Sequence, residues 1–206
     1  MCQFAIEKLL LDVKASTPLE VRERVGNLLT QKEGFNYLYE IGVIQYLIPE
    51  LSHLEDYHHN LEYHPEGSLY NHYCEVFKKY CENPSKTELG AWAVLFHDVA
   101  KTVVAEWRQD KGHHTFYLHE KVGGEIFQEK YFNGVIYFNE IEAEAIKWVI
   151  RQHRNFYKVA RKQKSLDLVN HPDYDLLLEV TKADSMGANS EFYQERLNYF
   201  KNLQCV

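Results

Sequence analysis

Residues 91–101 read AWAVLFHDVAK, an apolar run of good helix formers with two polar residues near its end. On a helix, residues three and four apart share a face. His97 therefore aligns with Ala93 and Val94, and Asp98 with Val94 and Leu95. Adjacent residues diverge by about 100°, yet both flank one apolar stripe, so two polar groups are expected to reach one buried point from a single helical turn. An ionised carboxylate on such a face costs on the order of several kcal/mol unless a positive group meets it.

The same pattern recurs on either side. His72 lies between Leu69 and Val76 at helical spacing, on a segment expected to run from about Pro65 to Cys81. His153 follows Ile146, Val149 and Ile150, on a helix that Asn139 and Glu142 would open with a capping box. Asp184 follows Leu177, Val180 and Thr181. Taken singly, His72 or His153 reads better as a satisfied core histidine, Asp184 as a cap or an ion-pair partner, and His97-Asp98 as a weak dipeptide signal. Taken together with His119, these imidazoles and carboxylates on separate apolar faces point to a shared divalent cation. The mixed nitrogen and oxygen set suits Mn, Fe, Co, Ni or Zn better than Ca, with Mg admissible.

The rest of the chain is also helical in pattern, with segments near 4–14, 18–31, 33–47, 66–82, 87–101, 119–131, 140–153, 173–187 and 190–203, and breaks at Pro18, Pro49, Pro65, Pro84, Gly112, Gly134 and Pro172. The fold class is all-α. HHTFYLH at 113–119 reads as a short extended stretch, and GVIYF at 134–138 as a strand or the close of a helix. The histidine-rich stretch 52–64 reads as a loop near the site. None of the four cysteines forms a CxxC pair; Cys74 and Cys81, seven apart on one expected helix, read as packed thiols, and a reduced, cytoplasmic setting is expected. No signal peptide or long apolar span is present, so no membrane insertion is expected. A net charge of −7 argues against broad coating of nucleic acid. One basic run, RQHRNFYKVARKQK at 151–164, brackets His153; it could gather phosphates through Arg151 and Arg154, or be a solvated loop.

His72, His97-Asp98 and Asp184 reproduce the H…HD…D signature of the HD-domain metal-dependent phosphohydrolases. YHPEGSLYNH at 63–72, LFHDVAKT at 95–102, FYLHEKVGGEIF at 116–127 and ADSMG at 183–187 resemble the HD domain of bacterial tRNA nucleotidyltransferases and poly(A) polymerases. The segment 18–51, ending in Pro49-Glu50-Leu51, is similar to the helical region before that domain. The resemblance implies a helical HD bundle over 52–206, joined to a helical extension over 1–51 as one compact unit. It departs in two ways. No Gly-Gly-plus-paired-aspartate head is present, so nucleotide addition is not expected. The basic residue that relatives carry after the last aspartate is missing from Ser185-Met186-Gly187-Ala188-Asn189.

What the resemblance implies is a divalent ion held by His72, His97, Asp98 and Asp184. His119 and His153 look like the additional histidines of two-metal members, in which the aspartate matching Asp98 bridges. It further implies hydrolysis of a phosphoester of a nucleotide or RNA end by water that the cation activates. Lys101 would stabilise phosphate charge, against the reading of a solvated lysine at a helix end. His64 or Glu66 would hydrogen-bond a ligand or carry a proton, and His113 and His114 read as surface histidines. The competing readings are a nucleotide monophosphatase, an HD-type di-iron oxygenase with the same six ligands, and a non-catalytic module that binds RNA or a protein partner. Oligomeric state is not encoded legibly.

Overall fold

The computed structural model describes residues 3–131, 134–158, 162–188 and 190–204. The fold is all-α apart from one short hairpin. Two helices open with reciprocal caps. At α2 (Pro18–Leu29) the Thr17 side chain accepts from the Glu20 N–H, while the Glu20 carboxylate accepts from the Thr17 N–H at 2.7 Å. At α9 (Glu140–Gln152) Asn139 and Glu142 do the same, at 3.0 and 3.1 Å. Each box satisfies two backbone donors that a helix start would otherwise leave unpaired.

The centre of the molecule is α6 (Glu88–Phe96), buried without a break from Gly90 to Phe96. A helix that is apolar all round has no solvent face. It is packed accordingly by α2, α9, α5 (Leu69–Cys81) and α12 (Tyr174–Ala188), and α5 and α12 also lie against each other. Trp92, Phe96, Tyr73 and Phe77 are at most 1% exposed, and burying each such side chain contributes about 1.5–3 kcal/mol. The core runs continuously from Val25 and Leu38 to Val149 and Leu177. α1 (Gln3–Ala15) precedes this body, and α13 (Ser190–Gln204) closes it against α11 and α12.

Several elements differ from the sequence expectation. The helix expected over 33–47 is two, α3 (Gly34–Glu40) and α4 (Val43–Leu47), because Gly42 takes φ 78° between them. The helix expected over 87–101 ends at Phe96. Residues 97–100 form a turn, and α7 (Lys101–Val104) starts afresh. α8 (His119–Ile126) widens into a π-helical turn at Phe127–Tyr131. The 113–119 stretch is extended only at β2 (His113–Thr115), which pairs antiparallel with β1 (Glu106–Arg108) and sets Trp107 opposite His114. The 134–138 stretch is neither strand nor helix. Ile136 and Phe138 are buried, and the Tyr137 N–H donates to Pro18 O at 3.2 Å, so it acts as an anchor beside α2. The basic run contains α10 (Asn155–Lys158) and the start of α11 (Lys162–Val169), with residues 159–161 outside the described residues. Buried Phe156, Leu168 and Val169 hold these helices, a pattern masked by the lysines and arginines around it.

Among the described residues no helix is long and apolar enough to cross a membrane. Cys74 and Cys81 are free, half-buried thiols; Cys2 and Cys205 lie outside the described residues.

Candidate metal centre

Six side chains from five helices and one turn meet in the bundle. His72 comes from α5, His97 caps the C-terminus of α6, and Asp98 follows in the turn. His119 opens α8, His153 caps α9, and Asp184 comes from the last turns of α12. His72, His97, Asp98, His119 and His153 are all buried. The two adjacent residues thus arrive from a helix end and a turn, not from one continuous helical turn. Leu118 takes φ 61°, a conformation rare for a residue with a side chain, and so swings His119 inward as α8 begins.

Asp98 divides the cluster. Its Oδ2 lies 3.1 Å from His97 Nε2 and 3.4 Å from His72 Nε2. Its Oδ1 lies 3.1 Å from His119 Nε2 and 3.6 Å from His153 Nε2. Asp184 Oδ1 joins the first side, 3.2 Å from His72 Nε2 and 3.8 Å from His97 Nε2. Two groups of three result, His72-His97-Asp184 and Asp98-His119-His153.

The ring orientations follow from local hydrogen bonds. His97 Nδ1 lies 2.6 Å from Val94 O, His119 Nδ1 2.8 Å from Phe116 O, and His153 Nδ1 2.8 Å from Ile150 O. A carbonyl oxygen only accepts, so each Nδ1 carries the proton and each Nε2 turns a lone pair inward. His72 reaches the same state through Glu66, whose Oε1 accepts from Nδ1 at 2.8 Å. Four imidazole Nε2 atoms therefore face two carboxylates, and only acceptors meet there unless a proton or a cation stands between them. His119 Nε2 and His153 Nε2 stand 3.2 Å apart. Among the described residues His72 Nε2, His97 Nε2 and Asp98 Oδ1 are buried with no hydrogen-bond partner.

Such a cluster attracts positive charge. Burial pushes the His72 imidazole down, but Asp184, Asp98 and Glu66 outweigh it and lift it to about 10. Burial likewise opposes protonation of His97, which Asp98 and Asp184 nevertheless lift to about 9. Burial would raise both carboxyls, yet His97 and Lys101 hold Asp98, and His72 and His97 hold Asp184, well below the usual range. At His153 burial dominates and pushes the imidazole below its ordinary range. Divalent cations, one to each group, would satisfy these acceptors, and the donor set fits them.

Lys101 is buried beside the cluster, not solvated at a helix end. Its Nζ lies 2.6 Å from Asp98 Oδ2, 3.3 Å from His59 Nε2 and 5.5 Å from the Phe116 ring centroid. His59 is itself buried, and burial together with the Lys101 charge pushes its imidazole far below the usual range. It therefore accepts from Lys101. Sequence reading did not single out His59; its only signal was the histidine density of the 52–64 loop. Glu66 Oε1 also accepts from His64 Nδ1 at 2.9 Å.

Of the groups described, Asp98, Lys101, His59, His64, His119, His153 and Asp184 line one cavity of about 710 Å³. Arg154 is in its wall, whereas Arg151 is not: Arg151 packs over Gly124 of α8. His113 and His114 are half-buried in the wall rather than free on the surface. Ser185 is buried there too; Asn189, the end of that stretch, lies outside the described residues.

A family model of the HD domain matches residues 69–189, a span that holds all six clustered residues. No curated protein matches the chain.

Proposed function

The chain belongs to the HD domain family, and from that premise we propose that it is a divalent-metal-dependent phosphohydrolase acting on a phosphoester of a nucleotide or an RNA end. The observation that carries this reading is the buried cluster of acceptors divided by Asp98. His72, His97 and Asp184 would hold one ion and His119 and His153 a second, with one oxygen of Asp98 turned to each. Mn, Fe, Co, Ni and Zn suit these donors. When bound, such cations act as Lewis acids on a phosphoryl oxygen and lower the pKa of water.

The protein's own groups do the rest. Lys101, fixed between Asp98 and His59, presents a buried ammonium to a phosphoryl oxygen, where charge develops during hydrolysis. Arg154 adds a second cation at the cavity wall and draws the anion in. His64 donates its Nδ1–H to Glu66 Oε1 in a hydrogen bond, which leaves the Nε2 lone pair to take up a proton inside the cavity. The nucleotide or RNA-end assignment is supported by these cations and by the resemblance of 63–72, 95–102 and 116–127 to HD domains of tRNA-processing enzymes.

Elemental analysis paired with hydrolysis of bis(p-nitrophenyl) phosphate and 2′,3′-cyclic nucleotides, with and without Mn²⁺ or Ni²⁺, tests the reading. Bound metal with metal-dependent turnover is the expected result. Iron with O₂-dependent turnover and no hydrolysis would instead establish the oxygenase. RNA or partner binding indifferent to chelation would establish a module without turnover.

A further inference from the structure

Beyond the metal ligands, one wall of the cavity is built of rings. Along β2 and the residues after it, His114 and Phe116 point the same way, as alternate residues of an extended segment do. Their rings are 6.2 Å apart and 26° from parallel. Trp107 packs on His114 edge-to-face at 5.0 Å, Tyr57 lies tilted against it at 5.4 Å, and His114 Nδ1 accepts from the His58 N–H at 3.0 Å. The His114 ring is therefore fixed in place. Phe116 continues the wall inward until it meets Lys101, whose Nζ lies over its ring. At the same opening stand Tyr63 and Tyr117, 60% and 63% exposed, both lining the cavity and neither packed into the core.

We infer that this wall is a stacking subsite for the planar base of a nucleoside phosphate whose phosphate lies at Lys101, beside the cation centre. The inference rests on the phosphohydrolase reading proposed above and says what carries the selectivity. Rings offer apolar faces to a flat heterocycle whatever its identity, while Asn60, Glu62 and Thr115, lining the same cavity, give polar partners for its edge. The volume of about 710 Å³ is that of a small-molecule site, far more than a bare phosphate fills. Lys101 supplies the geometric link, since it touches both the ring wall and the cation centre.

The test uses the full chain loaded with Mn²⁺ and titrated with adenosine monophosphate and, separately, with ribose 5-phosphate. Calorimetry gives the affinities. The nucleotide is expected to bind at least roughly tenfold more tightly than the sugar phosphate, the scale of one base–aromatic stack. Tyr117→Leu and Tyr63→Leu should erode that preference without changing sugar-phosphate affinity, and Tyr117→Phe should keep it. Both tyrosines are solvent-facing, so the variants should fold. Equal affinity of the wild type for the two ligands overturns the base subsite and leaves the hydrolase reading standing. Binding of neither ligand, with no phosphoester hydrolysed, removes the hydrolase reading and the subsite with it.

Discussion

Lys101 Nζ and His59 Nε2 meet at 3.3 Å, two buried side chains from segments 42 residues apart. With Asp98 on its other side, the ammonium has one charged and one neutral acceptor. His59→Ala removes the neutral one and leaves the ligand set untouched. Hydrolysis is expected to fall about 10–100-fold, as for loss of other groups that orient a metal site, with metal content unchanged. Steady-state kinetics beside elemental analysis checks this, and an unaltered kcat/KM would refute the role.

Glu66 serves His72 in the same indirect way. Glu66→Ala deprives His72 Nδ1 of its acceptor and frees the ring to rotate. Metal affinity is expected to drop about 10–100-fold, measured by competition with a chromophoric chelator. Circular dichroism should show the helices intact.

Asp98→Ala removes the carboxylate that stands between both histidine groups. The helical fold should persist, because α6 is held by its apolar packing, and hydrolysis should be abolished. Retained hydrolysis of a phosphoester would place the chemistry elsewhere.

Gly34→Ala tests the fold alone. A Cβ at this position would come within 1.7 Å of Leu28 O and 2.6 Å of its carbonyl carbon, both backbone atoms. The chain between α2 and α3 must shift, at a cost of about 1–3 kcal/mol or more, visible as a lower urea midpoint.

Tyr39 links stability to alkaline pH. Its hydroxyl accepts from the buried Leu54 N–H at 3.0 Å and donates to Glu55 Oε2 at 3.0 Å. Tyr39→Phe orphans that N–H and should cost about 1–3 kcal/mol. Burial is the main cause that raises the phenol to about 12, above the ~10 of an unfolded tyrosine. Between these values the unfolded chain binds fewer protons than the folded one, so stability falls as pH rises. The Tyr39 contribution is complete below about pH 10 and lost towards pH 12. The stability difference between wild type and Tyr39→Phe, followed by urea titration across this window, should shrink; a constant difference would contradict the assignment.

Helical periodicity made most of this legible. It placed His72, His97, His153 and Asp184 on inward faces, and it identified the Asn139–Glu142 cap. It could not see the end of α6, since AWAVLFHDVAK contains no glycine or proline. The helix stops there because side chains take its last carbonyls: His97 Nδ1 donates to Val94 O and the Tyr73 hydroxyl to Leu95 O. Nor could it find His59 or the ring wall. Loops have no period, and the 57–68 segment is placed by distant contacts, the His114 N–H donating to His58 O among them.

The hydrogen bonds that set the imidazole rings also say how such a centre can be inherited. Three of the four histidines take their alignment from a carbonyl three residues upstream, so a tetrapeptide carries each of them whole. Those units could survive loop exchange or grafting onto another bundle with their geometry intact. His72 has no such independence, because its partner belongs to a loop ahead of its helix. Drift in lineages of this fold should therefore spoil the centre first from the Glu66 side, and redesign should begin by giving His72 a partner of its own.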